Sequence, residues 1–190
     1  VTTTTEGIQW PATISDRMPI VVAYISAIWT IINTDAHNEM RGISQKDAFP
    51  LRPHVVQILA IFRILGVGYT KKNTTLSNNL VEVGTGEGKS VILAICCCVF
   101  ALLDFDVCCS CYSEQLSRRD KESFGSLFTT LGIDQAISYG TFNELCESLL
   151  NSRRNVREGL LEGLNKNSRS IPPAPKPRRK YSVLLIDEVD

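Results

Sequence analysis

Two short motifs, each placed where an apolar run stops, constrain the fold of this 190-residue chain more than any other feature. Leu80-Val81-Glu82-Val83 leads into Gly84-Thr85-Gly86-Glu87-Gly88-Lys89-Ser90, and Val183-Leu184-Leu185-Ile186 leads into Asp187-Glu188-Val189-Asp190. Between them, strand-like and helix-like stretches alternate. Such alternation implies a parallel sheet covered by helices on both faces, with ligands at the carboxyl ends of the strands. Both motifs fall at such ends.

The pattern predicts strands at 80–83, 107–111, 137–139 and 182–186. It predicts helices at 89–103, apolar nearly all round and so buried, at 114–131 closed by Gly132, and at 142–150. Ahead of these, Asp16 is placed to cap a helix that starts near Pro19 and ends around 33–38, since proline suits the first helical position. A second helix is expected at 53–65, with Val55, Val56, Ile58, Leu59, Phe62 and Leu65 as its apolar face and Gly66 as its stop. Residues 70–79 read as a polar loop.

With 44% apolar residues the chain can bury a core, and 20 basic against 20 acidic residues leave no global field for nucleic acid or an anionic membrane. The charge is uneven. Residues 153–180, a Pro-rich stretch, hold nine basic and two acidic residues, or +7, and read as a solvated loop. The apolar run at 18–32, interrupted by Pro19, Tyr24, Ser26 and Thr30, is shorter than the roughly 20 residues of a membrane span and reads as a packed helix. The start, Val1-Thr2-Thr3-Thr4-Thr5, lacks both an initiator Met and the order of a secretory signal. Together with an end inside the acidic motif, it is what an excerpt of a longer protein would show. Six of the seven cysteines sit in two groups, 96–98 and 108–111, inside apolar runs. They read as small buried hydrophobes in a reducing compartment, not as metal ligands.

The glycines at 84, 86 and 88 allow a tight turn whose backbone N–H groups converge on a phosphate, and the helix beginning at Lys89 adds its positive dipole end. In this pattern Lys89 reaches the β- and γ-phosphates and the Ser90 hydroxyl ligates magnesium. Asp187 holds the metal through water, while Glu188 orients and deprotonates the attacking water. The strict form of the loop is broken, because Val83 stands at the first glycine position.

Read in order, Leu51-Arg52-Pro53-His54-Val55-Val56-Gln57, Glu82 to Ser90, Leu116-Ser117-Arg118-Arg119-Asp120, Tyr139-Gly140-Thr141-Phe142-Asn143-Glu144 and Asp187-Glu188-Val189-Asp190 resemble the SecA family of preprotein translocase motors. The resemblance covers residues 51–190, and the family itself lacks the first glycine. It implies an α/β fold: a three-layer P-loop NTPase lobe of the RecA type with a mostly parallel sheet, at 51–190, behind an amino-terminal helical segment at 1–50. It also implies that Gln57, with Arg52 nearby, reads the adenine edge, which favours ATP, and that Arg119 and Asp120 cap a helix or contact other domains. Two stretches depart from the family: Ser113-Glu114-Gln115 and Leu149-Leu150-Asn151-Ser152.

The function so implied is the ATP-binding motor lobe of a SecA-like ATPase that couples Mg-ATP binding and hydrolysis to polypeptide movement. Its cofactors would be ATP and Mg2+, and its partners a polypeptide substrate and a second motor lobe. It would reside in the cytoplasm, touching a membrane only peripherally. With one lobe of a two-lobed site, the chain alone is expected to bind ATP with little or no turnover. Two alternatives are a non-hydrolysing nucleotide switch or scaffold and a DEAD-type nucleic-acid helicase lobe. The second lacks an aromatic-and-basic platform for bases.

Overall fold

The computed structural model describes residues 12–67, 78–153 and 181–188. The basic stretch beyond Arg153, most of the polar loop expected at 70–79, and Val189 and Asp190 lie outside them. The described order is α1 (Ala12–Met40), α2 (Val55–Ile64), α3 (Lys89–Leu102), β1 (Phe105–Ser110), α4 (Glu114–Thr130), a 3-10 turn at Asp134–Ala136, β2 (Ile137–Gly140), α5 (Phe142–Arg153) and β3 (Tyr181–Ile186).

The three strands form one parallel sheet in the order β2-β1-β3. Ser110 pairs with Gly140 on one side and with Ile186 on the other, so all three strands end at one level. The chain leaves β1 for a neighbour on one side and leaves β2 for a strand on the other. Such a reversal opens a crevice beyond the strand ends. The fold is the α/β lobe that the alternation predicts.

Alternation along β1 turns Phe105, Val107 and Cys109 toward the core and leaves Asp106 and Cys108 half-buried. The inner face meets α3, whose residues from Ala94 to Ala101 are all buried. Cys96, Cys97 and Cys98 are fully enclosed there, with free thiols, as a helix without a polar face requires. α1 joins the same core through Met18, Val22, Ile25 and Trp29. A buried side chain of this kind contributes about 1.5–3 kcal/mol. Helix ends follow local chemistry: the Ser113 hydroxyl accepts from Leu116 N (3.3 Å) to cap α4, and Gly66 and Gly132 close α2 and α4 with left-handed backbone.

Four expectations are corrected. α1 begins at Ala12, not near Pro19, and runs to Met40, so Asp16 lies inside it. Pro19 lies within the helix on its exposed side. The resulting helix, at Asp16–Met40, is long and apolar enough to cross a membrane by length and composition, unlike the shorter run read from sequence. Its buried stripe on the core supports the packed reading. Residues 80–83 form no strand: Val81 and Val83 rest half-buried on the core while Leu80 is exposed, and Asn79 Nδ2 ties the segment to Ile64 O (3.0 Å). Finally, the outer face of the sheet is only partly covered. α5 lies over Cys108 and Leu184, but Leu184 and Ile186 on the edge strand stay exposed.

Candidate nucleotide site

α3 starts from Gly88, whose left-handed backbone (φ 76) turns the chain from loop to helix. Gly86 is also left-handed (φ 86), and Glu87 N bonds Gly84 O (3.3 Å) across the turn. Gly88 meets a second demand. A Cβ there would collide with Nε2 of Gln57, so a larger residue would force that amide to shift and would also strain the left-handed backbone.

Gln57 is buried, and its amide is already engaged. Oε1 accepts from His54 N (2.8 Å) at the start of α2, and Nε2 donates to Glu87 O (2.8 Å) in the loop. The side chain thus straps the phosphate loop to α2, a role that sequence reasoning missed. Its sequence signal is the spacing of three from His54, the position from which a Gln side chain reaches back to the backbone N–H at a helix start. Arg52 stands exposed and makes no hydrogen bond or ion pair among the described residues.

Lys89, at the first residue of α3, places Nζ 3.3 Å from Oε1 of Glu188. The pair joins the two motifs across 99 positions of sequence. Ser90, half-buried, follows on the same turn, while Gly84, Thr85, Gly86 and Glu87 are exposed. Glu188 carries a left-handed backbone (φ 62), which costs a residue with a Cβ about 1–2 kcal/mol. Asp187 is anchored by its N–H to Ser110 O (2.9 Å) at the end of β1. Burial pushes its carboxyl above the usual range, while Lys89 pulls it down. A half-buried carboxylate that is costly to ionise is a group that a hard divalent cation would stabilise.

Arg119 and Asp120 do not cap α4. Ser113 caps α4, and Arg119 donates from Nε (2.9 Å) and NH2 (2.7 Å) to Oδ1 of buried Asp120. Both charges act on Asp187, the arginine lowering and the aspartate raising its pKa. The Tyr139–Glu144 stretch also resolves into structure. Glu144 Oε2 accepts from Thr141 N (2.7 Å) and Oγ1 (2.9 Å), a reciprocal cap that starts α5 and holds the Glu144 carboxyl below the usual range.

Comparison with known proteins places this geometry. Residues 30–147 match the SecA DEAD-like domain. The chain is 27% identical over 158 residues to Protein translocase subunit SecA 2 of Mycobacterium tuberculosis and of Mycobacterium bovis, across 74% of its own length. It spans 16% of the length of these relatives. No solved structure matches it significantly. The domain match includes Gln57, the loop and Lys89, and ends ahead of Asp187 and Glu188.

Proposed function

Since the chain belongs to the SecA DEAD-like domain family, we propose that it is the ATP-binding lobe of a protein-translocating ATPase. The observation that carries this reading is the Lys89–Glu188 pair, which brings a phosphate loop and an acidic strand end into one site. In this reading residues 51–190 are the lobe and 1–50 an amino-terminal helical segment, whose described helix α1 packs on the lobe.

The backbone of Gly84, Thr85, Gly86, Glu87 and Gly88 cradles the phosphates, with Lys89 on the β- and γ-oxygens. Ser90 and Asp187 would hold Mg2+, which when bound would neutralise charge on the transferring phosphoryl group. Glu188 takes a proton from water as the water oxygen bonds to the γ-phosphorus and the bond to the β–γ bridging oxygen breaks. Lys89 must leave Glu188 for the phosphates before that step. Gln57, with Arg52 at the same end, reads adenine with the donor and acceptor capacity left beside its bonds to His54 and Glu87. A polypeptide substrate and a second motor lobe are the implied partners, in the cytoplasm or at the periphery of a membrane. The chain alone binds ATP with little turnover, because loss of a transition-state arginine costs on the order of 10³–10⁵ in rate.

One observation favours a non-hydrolysing switch: the Glu188 carboxylate is engaged by Lys89. Steady-state ATP turnover in a longer form of the protein separates the readings. The motor reading expects turnover that Glu188→Gln abolishes. Turnover equal in the two, or none in either, would sink it.

A further inference from the structure

The outer face of the sheet carries a cavity of about 120 Å³, between α5 and the strands β1 and β3. From the helix, Phe142, Leu145, Cys146 and Leu149 line it, a spacing of three and four that sets one stripe of α5 against the sheet. From the strands come Cys108 and its register partner Leu184. Alternation along β1 sends Val107 and Cys109 to the core, so Cys108 is turned the other way, beneath the helix.

The distribution of thiols gives this cavity its chemical sense. Five of the seven cysteines are buried and two, Cys108 and Cys146, are half-buried. Those two share the cavity. Apart from them only Ser182 is polar among its lining residues, so no carboxylate or imidazole joins the thiols to hold a metal ion. The space is apolar and about the size that admits one small apolar molecule. α5 is the outer layer here, and Cys146 is followed by exposed Glu147 and Ser148, whereas Cys108 lies beneath it in the sheet. Cys146 therefore meets a reagent first.

We propose that Cys108 and Cys146 form an oxidisable dithiol, a modification site that a small organic hydroperoxide converts to a disulfide between β1 and α5. The Cys146 thiolate attacks the terminal peroxide oxygen; the O–O bond breaks, and the alkoxide leaves as alcohol with the proton that the thiol gave up. The Cys108 sulfur then attacks the sulfur of the Cys146 sulfenic acid, the S–O bond breaks, and hydroxide leaves as water with the Cys108 proton. Two electrons pass from sulfur to the peroxide, and a thiol reductant reverses the bond. The bond needs the two Cα atoms within about 7 Å, and the cavity gives α5 room to settle as it forms. Phe142 walls both this cavity and the opening beside Asp187 and Glu188, so the settled helix carries a wall of that opening with it.

The test uses the reduced full chain, with tert-butyl hydroperoxide as the probe and mass mapping of linked peptides after free thiols are blocked. The expected product is an intramolecular link between Cys108 and Cys146, reversed by dithiothreitol, with the core thiols still free. In Cys108→Ser the sulfenic acid should persist on Cys146 and be trapped by dimedone at least about fivefold more than in the parent. Phenylarsine oxide, which bridges neighbouring thiols without oxidising them, should bind the parent at least about tenfold more tightly than Cys108→Ser or Cys146→Ser. Equal binding to all three overturns the proposal. So does a peroxide product that links a core cysteine, joins two chains through Cys146, or leaves Cys146 over-oxidised and unlinked. In the linked chain, amide hydrogen exchange across 142–149 should slow by at least about threefold. An unchanged rate overturns the settling of α5.

Discussion

Gly88 answers to two constraints at once, a left-handed backbone and contact with the Gln57 amide. Gly88→Ala should therefore cost about 1–3 kcal/mol in urea unfolding. In a Gln57→Ala background only the backbone part should remain, about 1 kcal/mol. Equal costs in both backgrounds would deny the strap between α2 and the loop. Asp187 gives a pH prediction. Its pKa is raised in the folded chain, so the stability it adds is complete below the ordinary aspartate pKa and is lost as pH rises through the raised value. Near neutral pH the ionised group is a cost, one that magnesium would relieve under the proposed function. Without metal, Asp187→Asn should melt higher than the parent at pH 7 and level with it near about pH 3. An unchanged or lower melting temperature at pH 7 would contradict the assigned cause. Gln57 also shows how a residue's role can be hidden in sequence. Its neighbours in the chain suggest an exposed helix position, and only the approach of the loop, 30 positions later, reveals what the amide holds.

At the scale of elements, α3 was legible because no arrangement of its residues gives a polar face, and β1 to β3 because apolar runs ended at turn-forming or acidic residues. The segment at 80–83 was not legible. Four alternating apolar and polar residues look the same whether the backbone pairs in a sheet or lies singly on a core. Pro19 misled in the other direction, since a proline at a helix start and one on the solvent side of a helix share the same neighbours in sequence. The cysteine groups lie in the core as read, apart from half-buried Cys108. Burial pushes the Cys98 thiol up to about 12 and raises Cys96 as well, while the hydrogen bond to Cys109, then burial, raises Cys111. A thiol reagent should therefore label half-buried Cys108 and Cys146 first and reach the buried five only on unfolding. Rapid labelling of Cys96 or Cys98 in the folded chain would show that α3 is not packed as described. Ser113→Ala should cost about 1 kcal/mol through loss of the α4 cap, read by chemical unfolding.

For the whole molecule, the sheet order matters more than any single contact. Because β1 stands between β2 and β3 and all strands end together, Asp187 hangs from Ser110 and Glu188 can reach Lys89. Two motifs far apart in sequence become one site, flanked by a cleft that only the folded strand ends create. The two halves were readable in sequence, each following an apolar run, although only the acidic one follows a strand. The opening beyond the strand ends was not, since Ser110 and Tyr112, which line it, carry no motif. The most direct test of the site is calorimetric titration of the chain with ATP, with and without Mg2+, for the parent, Lys89→Ala and Asp187→Asn. Weak Mg-dependent binding in the parent, lost in Lys89→Ala and deprived of its Mg2+ dependence in Asp187→Asn, is the predicted result. ATP affinity unchanged in Lys89→Ala, or Mg2+ dependence retained in Asp187→Asn, would contradict a single site built from both motifs.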